Sequence, residues 1–183
     1  MGGPDQTPAL TQGTAVKVFL HAPGDFNNVC VLARTLDVLG FRECYVFDPL
    51  RIIRDAYGKS YSRRLRAVSA GAFEHILWQR VADPLAFVLQ HQGRTVATVA
   101  DPGATSLCDF RFEAHDLLIF GSEREGLPGP MVAAASVAVT VPTYGSTQSL
   151  NLAVAAGIFL FEVTRQLGVP TPSGGEAAPG DTA

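Results

Sequence analysis

The chain has 183 residues, 47% hydrophobic and 17% charged, with a net charge of −3 and a pI near 5.7. That balance points to one packed globular domain and excludes a disordered chain or an overall polycation, while leaving room for a local basic patch. Its cysteines, Cys30, Cys44 and Cys108, form no CxxC pair and no Cys/His ligand spacing, so neither a metal site nor a disulfide framework is expected.

Free thiols fit a reducing compartment. No apolar run reaches the length of a membrane span. The N-terminal MGGPDQTPALTQG has neither a charged nor an apolar signal region, and Gln6 stands where a myristoylation signal needs Ser or Thr. A cytoplasmic protein is the expectation.

Residues 1–14 are rich in Gly, Pro and polar side chains and are expected to be loosely ordered. AVKVFLHA (15–22) alternates like a first strand. After the Pro23-Gly24-Asp25 break, residues 27–40 carry Val29, Leu32, Leu36 and Leu39 at helical spacing. ECYVFDP (43–49) reads as a second strand. RIIRDAYGKSYSRRLRAVSAG (51–71) is the one basic stretch, with Arg51, Arg54, Lys59, Arg63, Arg64 and Arg66 against Asp55. Such a run is either a solvated helix face or an anion-binding surface.

FEHILWQ (73–79) suggests a short strand, and residues 83–92 a helix capped by Asp83 with Pro84 in its first turn. RTVATVAD (94–101) is another strand. DLLIFGSE (116–123) is a continuous apolar strand of the buried parallel kind. SVAVTVP (136–142) precedes a long apolar helix over 147–167, and the Gly- and Pro-rich 168–183 reads as a disordered tail. The alternation predicts an α/β fold with a mostly parallel sheet flanked by helices.

Three loops carry polar residues that a packed core does not require. One holds Asn28, with Arg34 beyond it; the second is Gly121-Ser122-Glu123 with Gly126-Leu127-Pro128; the third holds Ser149 and Asn151. Ligands of open α/β sheets bind outside the carboxyl ends of the strands, where the second and third loops fall. Plainer roles exist for each: a surface arginine at Arg34, a helix-start carboxylate at Glu123, and a helix cap at Ser146, Thr147 or Ser149. The chain contains no GxGxxG, no Walker loop and no GxSxG elbow, and His21, His75, His91 and His115 are scattered.

Taken together, NNVCVLARTLDVLGF, LLIFGSEREGLP and VPTYGSTQSLNLAVAAGIFLFE resemble the three motifs of the SpoU/TrmH-type RNA 2′-O-methyltransferases of the SPOUT superfamily, in the same order. The family pattern is an Asn then an Arg, FGxExxGL, and (I/V)Px…SLNxxxA. The similarity covers roughly residues 15–167, with RAVSAGAF (66–73) resembling the segment between the first two motifs. GDFNNV departs from the usual surroundings of the motif-one Asn. With about 14 residues before the first strand, the chain resembles the minimal, catalytic-domain-only type.

The resemblance implies a C-terminal trefoil knot, a homodimer paired through the first and last helices, and S-adenosylmethionine as cofactor. It assigns the cofactor cleft to Val99, Ala100, Gly121, Val141, Ser149 and Leu150. Arg34 matches the catalytic arginine, and Asn28, Glu123, Ser149 and Asn151 match the polar residues that build the site. Arg63, Arg64 and Arg66 are candidate RNA contacts. The expected activity is 2′-O-methylation of an RNA ribose, tRNA ahead of rRNA. A different acceptor for the same cofactor, and a non-catalytic RNA-binding protein, are the alternatives. No metal is expected.

Overall fold

The computed structural model describes residues 16–55, 62–147 and 149–169. Among these residues, seven parallel strands form one sheet in the order β3-β2-β1-β6-β4-β7-β5. They are β1 Lys17–His21, β2 Glu43–Phe47, β3 Leu77–Arg80, β4 Thr95–Thr98, β5 Thr105–Ser106, β6 Leu117–Phe120 and β7 Val137–Thr140. The centre is β1 against β6, in the register Val18↔Leu118, Phe19↔Ile119 and Leu20↔Phe120. All four residues of β6 are buried, as its uninterrupted apolar run requires of a strand covered on both faces.

Alternation along β1 and β6 divides the core in two. Val18, Leu20, Leu118 and Phe120 pack with α1 (Phe26–Val38) and α6 (Leu152–Leu167). Phe19, Leu117 and Ile119 face the other way, toward Val88 of α4 (Pro84–Leu89) and Met131 of α5 (Gly129–Ala134). Helix α1 buries Val29, Cys30, Leu32, Ala33 and Leu36, spaced for one face. It packs beside α6, where Gly157 faces the Thr35 methyl. A short α2 (Ile52–Asp55) and α3 (Ser62–Ser69) complete the β2–β3 crossover.

The segment at 73–79 departs from the expected strand. Residues Ala72–His75 form a single 3₁₀ turn and only Leu77–Arg80 is extended. Phe73 folds back so that its ring stacks on Trp78 at 4.9 Å, and the Trp78 indole donates to the Phe73 carbonyl at 3.2 Å. Helix α5 and strand β5 were not legible: GPMVAA carries turn residues and one buried anchor, and β5 is two residues long. The last helix starts at Leu152, not at 147, because residues 149–151 run without helix before it. The expectations for residues 1–14 and for most of the 168–183 tail lie outside the described residues.

At the amino end of the sheet, the wholly buried Asp116 closes an ion pair with Arg94, through Nε at 2.9 Å and Nη2 at 2.8 Å, and accepts from the Glu113 amide. Arg94 also donates to the Arg111 carbonyl and lies over the Phe110 ring. Burial pushes the Cys44 thiol far up, so it stays protonated. Among the described residues, no helix is long and apolar enough to cross a membrane.

Asp116→Ala strands a partly buried guanidinium, which retains only Glu113 and one carbonyl. Urea unfolding is expected to show a loss of about 3 kcal/mol; a loss below about 1 kcal/mol would assign the pair no structural role.

Candidate active site

The loop leaving β6 is shaped by two glycines. A Cβ on Gly121 would stand 2.2 Å from the Gly126 carbonyl carbon and 2.4 Å from the Leu127 nitrogen, so no side chain fits there. Gly126 adopts φ +66, which favours glycine. Ser122 and Gly126 exchange both backbone hydrogen bonds at 3.0 Å, closing a tight turn across residues 122–126. That turn carries Glu123 toward the start of α1.

Glu123 accepts from the Gly24 amide at 2.7 Å, the Asp25 amide at 3.2 Å and the Asn28 side-chain amide at 2.9 Å. Its charge therefore sits at the positive end of α1, beside amides with no intrahelical partner. Asp25 caps the same helix through the Asn27 and Asn28 amides. A carboxylate only accepts, so the NH2 of Asn28 must face Glu123 and its oxygen must face away. That oxygen accepts from the Asn151 Nδ2 at 3.0 Å. The remaining Asn151 oxygen accepts from the Ala153 and Val154 amides and caps α6. One directed line of hydrogen bonds thus joins the loops after β1 and β6 to the start of α6.

Beside this line lies a cavity of about 620 Å³ at the carboxyl ends of β4, β6 and β7. Val99, Ala100, Gly121, Val141, Ser149 and Leu150 all line it, as does Glu123. Phe120 and Phe159, edge to face at 5.9 Å, contribute aromatic wall, and Asp101 and Glu125 contribute carboxylates. The volume, the apolar wall and the acidic groups fit a methyl donor with a flat purine and a cationic sulfonium. Gly121 borders the cavity with bare backbone, and a Cβ there would strike the Gly126 and Leu127 backbone that closes the turn.

The other expected residues fall differently. Asn28 and Asn151 stand behind the cavity wall, holding it from outside. Ser149 is not a helix cap: it lines the cavity, and Asn151 does the capping that Ser146, Thr147 or Ser149 were weighed for. Arg34 is exposed on α1, outside the cavity lining and without a hydrogen bond or ion pair among the described residues. Arg66 pairs with Glu74 at 2.9 Å instead of standing free. Arg63 and Arg64 fall on α3, and the contacts expected of their side chains lie outside what is described. Gly24 and Asp25 read only as a strand break, yet their amides anchor Glu123; an Asp three residues before Asn28 was the available capping signal. Among the described residues, no cluster of three or more His, Cys, Asp or Glu is placed to hold a metal ion.

Replacing Glu123 by Gln keeps the shape but turns an NH2 toward donors. We expect a stability loss of about 2 kcal/mol by urea unfolding. Gly121→Ala should lower S-adenosylmethionine affinity at least about tenfold by calorimetry, through the Gly126 and Leu127 backbone that the methyl displaces. Unchanged affinity would detach this turn from the cofactor site.

Comparison with known proteins agrees with this geometry. The sequence model of the SpoU rRNA Methylase family matches residues 15–161. The tRNA (guanosine(18)-2′-O)-methyltransferase of Aquifex aeolicus is 27% identical over 152 residues, covering 81% of this chain and 68% of that protein. A solved structure described as giving insight into the 2-OH methylation of C/U34 on tRNA is 31% identical, with a TM-score of 0.70 over 83% of this chain and 95% of that one. An S-adenosylmethionine-bound rRNA methyltransferase from Sinorhizobium meliloti is 25% identical, with a TM-score of 0.70 over 86% of this chain and 58% of that one. With the family match running from before β1 into α6, and three motif loops meeting at one cavity, this chain belongs to the SpoU family of S-adenosylmethionine-dependent RNA 2′-O-methyltransferases.

Proposed function

We propose that this protein methylates the ribose 2′-hydroxyl of a tRNA nucleotide. Support for tRNA comes from similarity: the tRNA-directed solved structure is 31% identical over 83% of this chain, against 25% over 86% for the rRNA methyltransferase. An rRNA acceptor is the second reading, favoured by the family's own description.

Bound S-adenosylmethionine supplies an electrophilic methyl group. In this reading Val99, Ala100, Gly121, Val141, Ser149 and Leu150 hold it. Glu123, Asn28 and Asn151 fix the walls, so they act as positioning residues. Arg34 is the proposed clamp on the phosphate beside the target ribose, since its fork matches phosphate oxygens and orients the neighbouring hydroxyl. The cofactor would supply its methyl group to that hydroxyl by an in-line displacement, leaving as the thioether, with the hydroxyl proton released to solvent. Alignment of that displacement is the main catalytic contribution asked of the protein.

Arg34 lies outside its own chain's cavity lining, so the proposal includes a homodimer in which it serves the partner's site. Support comes from the outward faces of α1 and α6. Val38 is 76% exposed, Phe161 60% and Val154 52%, with Val31 and Ile158 beside them. Helix α6, apolar nearly all round, therefore has one side uncovered in the single chain. Val31 and Val38 flank Arg34 at helical spacing, which puts the arginine within that apolar face. The trefoil knot belongs to the same proposal, supported by β7 lying between the earlier strands β4 and β5. A cytoplasmic location is supported by the buried thiol of Cys44.

Tritiated S-adenosylmethionine offered to unmodified tRNA and rRNA should label a ribose in the tRNA pool. Label confined to rRNA overturns the tRNA assignment, and label in neither overturns the RNA acceptor. Arg34→Ala should bind cofactor within about twofold of the parent while turnover falls at least about a hundredfold; a variant that still turns over removes Arg34 from the mechanism. Light scattering should give a dimer, and a double Val154→Asp/Phe161→Asp variant a monomer. A monomeric parent protein contradicts the shared-site arrangement.

A further inference from the structure

Tyr144 is 95% exposed, more than any other large apolar side chain among the described residues; Val38 follows at 76%. It makes no hydrogen bond or ring contact among the described residues. It stands on the loop between β7 and Asn151, and the residues just before it, Pro142 and Thr143, line the cofactor cavity. Gly145, Ser146 and Thr147 after it are exposed as well. Arg124 lines the same cavity from the β6 loop and is exposed without an ion pair among the described residues. The rim thus carries a bare aromatic ring on one loop and an unpaired cation on another.

We propose that Tyr144 is the stacking platform for an unpaired base at or next to the target nucleotide, with Arg124 contacting the backbone phosphate beside it. This rests on the reading of the chain as an RNA methyltransferase and narrows its substrate to nucleotides in loops or other unpaired segments. In an A-form duplex both faces of every base are taken by stacking, so no ring can be offered a face. An unpaired base can leave the stack and lie on an aromatic side chain, whatever its identity, because every base has a π-face. A ring so exposed contributes almost no buried area to the fold, so its apolar surface is available to a ligand. The loop that carries it ends in Asn151, which ties a base held on Tyr144 to the hydrogen-bonded line behind the cofactor cavity. Stacking positions the ribose; Tyr144 touches the substrate base and takes no part in proton or methyl movement.

The test measures RNA affinity by fluorescence anisotropy, with a fluorescein-labelled stem-loop and the same stem closed as a full duplex. The parent protein should prefer the stem-loop. Tyr144→Ala should weaken stem-loop binding roughly tenfold, while duplex affinity, cofactor affinity and thermal stability stay unchanged. Tyr144→Phe and Tyr144→Trp should retain the preference, and Arg124→Ala should weaken both RNAs and flatten the salt dependence. Equal binding of stem-loop and duplex by the parent, an unaffected Tyr144→Ala, or conversion of Tyr144→Ala to a monomer overturns the proposal. The last would make Tyr144 an interface residue. Because affinity needs no turnover, these results stand apart from the labelling experiment: a chain that methylates tRNA with an indifferent Tyr144 loses only this inference.

Discussion

The carboxylate of Glu123 is the point on which three distant parts of the chain depend. It spans 95 to 99 positions of sequence to reach Gly24, Asp25 and Asn28, and through Asn28 it reaches Asn151. Each group in the line has one orientation, set by its neighbour. A charged acceptor fixes the first amide, the first amide fixes the second, and the second caps α6. A bare hydroxyl network could reverse its donors and acceptors; this one cannot.

That constraint explains the shape of the candidate cofactor cavity. Its walls are loops, which on their own would sample many conformations. Here the β6 loop is closed by the Ser122–Gly126 pair and seated on the start of α1, while Asn151 is tied to the start of α6 through its side-chain oxygen. Asn28 and Asn151, which do not line the cavity, thus help hold its walls in place. The same arrangement separates the tasks along α1. Its inner face fills the core with Leu32 and Leu36, its start anchors Glu123, and its outer face carries Arg34 between two exposed valines.

Much of this was legible in the sequence, for identifiable reasons. Strand β6 and helix α1 announce themselves because burial on two faces, or on one, leaves an apolar run or a helical stripe. The cavity-lining residues were reached through motif resemblance, and all six lie on one cavity. What remained hidden was long-range partnership. Nothing in the spacing of Gly24 and Asp25 reveals that their amides bind Glu123, and Asn151 as cap could not be told from Ser149, two positions earlier. Arg66 looked like a free cation, but Glu74 follows at a separation that meets only after a turn through Gly71. The 3₁₀ turn at Ala72–His75 was masked by β-favouring neighbours, Phe73 and Trp78, which stack on each other instead of extending.

The central claim is that Glu123, Asn28 and Asn151 act as one unit that assembles the methyl-donor cavity. A double-mutant cycle on Asn28→Ala and Asn151→Ala, with S-adenosylmethionine affinity measured by calorimetry and stability by urea unfolding, tests it directly. If the account holds, either single change should weaken both quantities and the pair should cost clearly less than the sum, with a coupling of about 1 kcal/mol or more. Strictly additive losses, or cofactor affinity indifferent to both, would contradict it.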